Sequence, residues 1–224
     1  AGQNTPTLLK EHIWSTQPKR FTRGDDFLEA AESLLMFVLA KVSLDKSNIE
    51  GLAELRKKAQ EALIDEHSSL EEMRAITQEI IKAGVIILRP LSIGISFPDV
   101  VANNKIVGGM TSKTRGLREQ GEERYWEEFE EKVSPLARRL SDRIGERLGL
   151  ENEIPVGITN DGKVGSLWAA VMSGEGGLFN LTLGTSLGGG LVNSQGKIAQ
   201  RLFEPGYTVM FIGPDGYCAY KHQV

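Results

Sequence analysis

The chain has 224 residues, with 26 Lys and Arg against 30 Asp and Glu and a net charge of −4. At 40% hydrophobic and 25% charged residues the composition is that of a globular protein, which excludes collagen-like, coiled-coil and disordered classes. The acidic balance, with no basic run, argues against a nucleic-acid partner, and the longest apolar run, about Leu34 to Ala40, is far short of the roughly 20 residues that span a bilayer.

No signal-peptide pattern opens the chain, and its one cysteine, Cys218, cannot form an intramolecular disulfide, so a cytoplasmic setting is expected. His12, His67 and His222 are scattered singly and give no metal-ligand spacing. Glycine is spread unevenly: three precede residue 84, whereas residues 157–216 hold fourteen. A helix-rich front and a turn-rich back follow from that distribution.

Leu8 to Trp14 reads as a strand, followed by a loop bracketed by Pro18 and Gly24. From Asp25, read as an N-cap, apolar residues recur at Phe27, Ala31, Leu34, Leu35, Val38 and Val42 along one helical face. Ser47 with Glu50 predicts a capping box for a second helix to about Leu63. Ser69 with Glu72 repeats the signal for a third, which stops at Gly84. Val85 to Leu88 and Leu91 to Phe97, rich in β-branched residues and bounded by Pro90 and Pro98, predict buried strands. Ser112 to Gln120 reads as polar loop and Glu122 to Lys132 as a charged helix. Ser134 as N-cap with Pro135 opens another helix, whose Leu136, Leu140, Ile144 and Leu148 form a stripe before Gly149. Pro155 to Thr159 predicts a strand, Lys163 to Met172 a helix, and Phe179 to Leu183 with Leu187 to Val192 a hairpin. Asn193 to Gly196 and Pro214-Asp215-Gly216 read as turns. Strands and helices alternate, so the class is α/β, in two lobes.

Two segments could carry chemistry. Thr159-Asn160-Asp161-Gly162 lies between a strand and a helix, where α/β folds place ligands, and a carboxylate there can take a proton from a substrate hydroxyl. Asp161 could equally serve only as the helix cap. Leu183-Gly184-Thr185-Ser186-Leu187-Gly188-Gly189-Gly190 is strand, small-residue turn and strand; such glycines let backbone N–H groups approach an anion, with Thr185 and Ser186 as hydroxyl donors. It is neither a Walker loop nor a dinucleotide fingerprint, and glycines placed for close packing are the alternative.

Taken together, Ile158-Thr159-Asn160-Asp161, the short helix, and Asn180 to Val192 with its Gly-Thr-Ser-Leu-Gly-Gly-Gly core resemble the ROK family of bacterial sugar kinases, within the actin-like ATPase superfamily. The resemblance implies a ribonuclease-H-like, two-lobed α/β fold present in part, with lobes at 1–150 and 151–224 and a helical insertion at about 44–84. It implies Asp161 as catalytic base, Asn160 as its sugar-binding companion, and Gly184, Thr185, Ser186, Gly188 and Gly189 as a phosphate loop. Leu91 to Pro98 is similar to the family's central strand, which ends before a sugar-binding loop; the resemblance puts that loop at about Gly108 to Gly116, with Thr111, Ser112 and Lys113 as candidate sugar contacts. Leu8 to Thr16 with the helix from Asp25 looks like the third strand and first helix of the N-terminal lobe. Phe203-Glu204-Pro205-Gly206-Tyr207 stands where the family has Gly-Glu-x-Gly-His, so Glu204 is implied as a further sugar contact.

The departures are specific. Tyr207 replaces the zinc-binding His and Cys218 stands alone, so no structural zinc is expected. The superfamily's opening Asp-x-Gly-x-Thr phosphate hairpin has no counterpart before Leu8, and the adenosine-pocket helices would lie beyond Val224, so the match is expected to cover the middle of a complete kinase. The function implied is ATP-dependent phosphorylation of a sugar hydroxyl, with ATP and Mg²⁺ as cofactors, a small sugar as substrate, and a homodimer among the family's assemblies. The alternatives are a non-catalytic sugar-binding or regulatory relative and a degenerate scaffold. DNA binding is disfavoured, since residues 1–83 carry neither a basic recognition helix nor a helix-turn-helix pattern.

Overall fold

The computed structural model describes residues 21–65, 68–107, 114–151, 153–183, 187–199, 209–212 and 218–220. The strand read at Leu8 to Trp14 and the turn at Pro214-Asp215-Gly216 lie outside them. The class is mixed α/β, with small parallel and antiparallel sheets. No helix among the described residues is long and apolar enough to cross a membrane.

Helices α1 (Gly24–Lys46), α2 (Ala53–Ile64) and α3 (Leu70–Lys82) share one core, in which Phe37, Ala40, Leu44, Ala59, Leu63, Met73, Ile76 and Ile80 are buried. Each large apolar side chain buried there contributes about 1.5–3 kcal/mol. The segment read as a helical insertion is therefore built into the same core as α1. Helix α3 opens as expected: the Ser69 hydroxyl accepts from the Glu72 N–H at 3.1 Å. It closes before Gly84, whose φ of +82° a side chain would strain.

Helix α2 corrects the sequence reading, because Ser47 is the C-cap of α1 rather than the N-cap of α2. Its N–H and hydroxyl both donate to the Leu44 carbonyl, at 3.2 and 2.8 Å. Arg56 from α2 then donates to the Ser47 carbonyl at 2.9 Å, so the second helix starts only at Ala53, beyond Gly51. Asp25 likewise falls inside α1 and not at its N-cap, which is Arg23; Asp26 accepts from the Thr22 and Arg23 N–H groups, at 2.9 Å each.

Val85 to Leu88 is not a buried strand. Its N–H groups go to helices, Val85 to the Ile80 carbonyl at 3.4 Å and Leu88 to the Ser43 hydroxyl at 2.8 Å, and Ile86 is 86% exposed. Leu91 is 94% exposed, and the strand that follows, β1 (Ile93–Phe97), buries only Phe97. Short strands β2 (Val101–Ala102) and β3 (Lys105–Ile106) pair with each other.

Within the predicted polar loop a one-turn helix, α4 (Arg115–Arg118), buries Leu117. Helix α5 (Glu122–Glu128) runs into a π-helical turn at Phe129–Val133, which takes the Ser134 N–H onto the Phe129 carbonyl at 2.7 Å. Ser134 is thus tied to the preceding turn, and Pro135 is the N-cap of α6 (Leu136–Leu148). The stripe Leu136, Leu140 and Ile144 is buried as its spacing predicts, and Gly149 ends the helix at φ +61°.

Strand β4 (Val156–Asn160) pairs with β1 and leads without a gap into α7 (Asp161–Ser173). Strands β5 (Leu178–Leu183) and β6 (Leu187–Val192) form the predicted antiparallel hairpin, with Leu183 opposite Leu187. A turn follows in which the Asn193 side chain accepts from the Gln195 and Lys197 N–H groups, at 3.0 and 2.9 Å. Strands β7 (Val209–Ile212) and β8 (Cys218–Tyr220) pair antiparallel. The chain divides into two compact units, Ala1–Ile95 with Asn103–Gly157, and Ser96–Ala102 with Ile158–Val224. The sequence places the division at 150/151; here residues up to Gly157 belong to the first unit, and Ser96–Ala102 joins the second.

Candidate functional site

Strand β4 alternates: Val156, Ile158 and Asn160 turn inward and Gly157 outward, so the period of two carries a polar amide to the buried end of an apolar face. Asn160 is 2% exposed, and its side chain satisfies both of its ends. Oδ1 accepts from the Gly162 N–H at 3.0 Å, capping α7, while Nδ2 donates to the Asp99 carbonyl at 3.1 Å. Asp99 follows β1, and its own carboxylate accepts from the Val100 N–H at 2.7 Å. The cap is therefore Asn160, one residue earlier than the alternative reading of Asp161.

Asp161 is the next residue and faces solvent, in the first turn of α7. Its Oδ1 also accepts from the Gly162 N–H, at 2.8 Å, and Oδ2 has no partner among the described residues. An exposed carboxylate held at a helix N-terminus by a backbone bond can accept a proton from a ligand hydroxyl.

The hairpin packs directly on this turn. A Cβ at Gly162 would lie 2.6 Å from the Gly189 carbonyl oxygen, and one at Gly190 would meet the Gly162 carbonyl at 2.7 Å and collide with the Ser166 hydroxyl. The Ser166 hydroxyl donates back to the Gly162 carbonyl at 3.0 Å. Gly162, Ser166 and Ala170, spaced by four, are the buried small face of α7.

Of the sequence-derived site, the structure brings Asn160 and Asp161 together at the end of β4 and sets Gly189 against Gly162. Gly188 and Gly189 lie within β6, opposite Thr182 and Leu181, and three residues, 184–186, join the two strands. Gly184, Thr185, Ser186, Thr111, Ser112, Lys113 and Glu204 lie outside the described residues. Among the described residues no group of three His, Cys, Asp or Glu side chains could hold a metal ion. Sequence reasoning missed Asp99 and Ser166. The Asp99 carbonyl meets Asn160 across 61 positions, which no local spacing signals. Ser166 could have been found from the i, i+4, i+8 run of small residues that starts at Gly162.

No family model matches the chain, and no curated protein or solved structure does either.

Proposed function

We propose that the chain is an ATP-dependent sugar kinase of ROK-like type, with a ribonuclease-H-like fold, and that Asp161 is its general base. One arrangement carries the reading: a strand ending in an amide locked by the chain, an outward carboxylate immediately after it, and a glycine-rich hairpin packed on the same helical turn. Asp161 takes the proton of the attacking sugar hydroxyl through Oδ2. Asn160 holds the Asp161 backbone, because its amide bonds to Gly162 on one side and Asp99 on the other. Gly184, Thr185, Ser186 and Gly188 would hold the nucleotide phosphates through backbone N–H groups and hydroxyls. Mg²⁺-ATP, when bound, supplies the phosphoryl group and neutralises charge on it.

The test is Asp161→Asn. Sugar-dependent ATP consumption is expected to disappear while the melting temperature stays within a degree or so of the parent; turnover at the parental rate would sink the assignment. Calorimetry with an ATP analogue and a panel of sugars separates the classes. A kinase binds both, a sensor binds sugar alone, and a scaffold binds neither.

A further inference from the structure

In the first unit, Glu29 and Glu32 of α1, Arg74 and Gln78 of α3, and Arg143 and Arg147 of α6 line a groove of about 480 Å³. That volume lies within the range of small-ligand pockets. Its three guanidinium groups come from two helices, and Arg143 and Arg147 stand one turn apart on the same face. Each turns its Nε toward α1. Arg147 Nε donates to Glu32 Oε1 at 2.7 Å, Arg143 Nε lies 3.5 Å from Glu32 Oε2, and Arg74 Nε donates to the Ser33 hydroxyl at 2.7 Å. The Ser33 hydroxyl donates in turn to the Glu29 carbonyl at 2.6 Å.

The Nη groups of Arg143 and Arg147 make no hydrogen bond among the described residues, and the Nη2 of Arg74 is 3.9 Å from Glu29. Burying the Glu32 carboxylate, whose side chain is 8% exposed, calls for one cation; two share it, leaving a net positive charge. Glu29 is half exposed and is shared between Arg74 and Arg23, the latter at 3.6 Å. Planar guanidinium edges match carboxylate and phosphate oxygens. Met36 and Ile81 add an apolar wall, and the exposed Gln78 amide adds a donor and an acceptor.

We propose that this groove is a binding site for a small organic oxyanion, a phosphate monoester or a polycarboxylate, held by Arg74, Arg143 and Arg147. None of its residues belongs to the site at Asp161, so the two readings stand or fall separately. The full chain is titrated calorimetrically with inorganic phosphate and with citrate at low ionic strength. Saturable one-site binding is expected, weakened at least about tenfold in Arg74→Gln and in Arg143→Gln and unchanged in Asp161→Asn. The tighter probe tells a phosphate ester from a polycarboxylate. Arg143→Gln leaves the Arg147–Glu32 bond in place, and Arg74 is half exposed, so matching circular dichroism and melting are expected of both variants. If Arg143→Gln nevertheless fails to fold, Arg74→Gln alone decides. Absence of saturable binding to either probe, or binding that survives the arginine substitutions at full strength, overturns the proposal.

Discussion

Asp25 and Asp161 are both first-turn aspartates, in α1 and α7, yet their surroundings give them different work. Asp25 is tied to Arg139 of α6 by a charge-assisted bond of 2.5 Å and lies 3.2 Å from Lys132. The Arg139 bond foremost, helped by Lys132, holds its carboxyl below the usual aspartate range against the opposing effect of burial. A carboxylate with a lowered folded-state pKa contributes stability above its unfolded value, about 3.9, and loses it as pH falls through the lowered folded value. Asp25→Asn is therefore expected to cost roughly 0.5–1 kcal/mol near neutral pH, because the pair is partly solvated and screened. The gap between parent and variant should close in acid, as urea unfolding across pH would record. Local sequence could identify Asp25 as a helix-start residue, but its partner stands 114 positions away, beyond the reach of any capping pattern. Among the described residues Asp161 has only the Gly162 N–H, and its place between a strand and a helix was legible for the opposite reason: strand, Asn-Asp and helix are contiguous in sequence.

The same contrast holds for whole elements. Capping signals fixed α3 and the end of α6 because Ser69, Gly84 and Gly149 act on their own helix. Ser47 misled because a serine can cap either helix end, and the choice was made by Arg56 of the next helix. Hydrophobicity ranks Leu167, Trp168, Val171 and Met172 as natural core residues of α7, yet all four are exposed among the described residues, and the helix buries its small face instead. At Gly162, and at Gly190 of the hairpin against it, there is no room for a methyl group. Gly162→Ala and Gly190→Ala are each expected to destabilise by about 1–3 kcal/mol or more, read from urea midpoints, because the colliding atoms are largely backbone. A neutral outcome at Gly190 would mean the hairpin does not rest on α7 as described.

For the molecule as a whole, the α/β class and the hairpin were readable, but the membership of the two units was not. Ser96–Ala102 and Ile158–Val224 belong together through contacts such as Asn160 to Asp99, which join segments that composition treats as unrelated. Ile76 is fully buried in the first unit, where truncation to Ala should cost about 2–4 kcal/mol. Gly190 lies in the second unit, where its near neighbours Ser166, Gly162 and Lys163 are not in the core cluster that holds Ile76. The double variant Ile76→Ala, Gly190→Ala is then expected to lose the sum of the single losses to within about 0.5 kcal/mol, and a larger departure would show that the units are energetically coupled. The bare contact between Gly162 and Gly189 has a mechanical side as well. With no side chain between them, the first turn of α7 and strand β6 meet backbone to backbone, so a shift of the hairpin at this point is expected to move the turn that carries Asn160 and Asp161 with it.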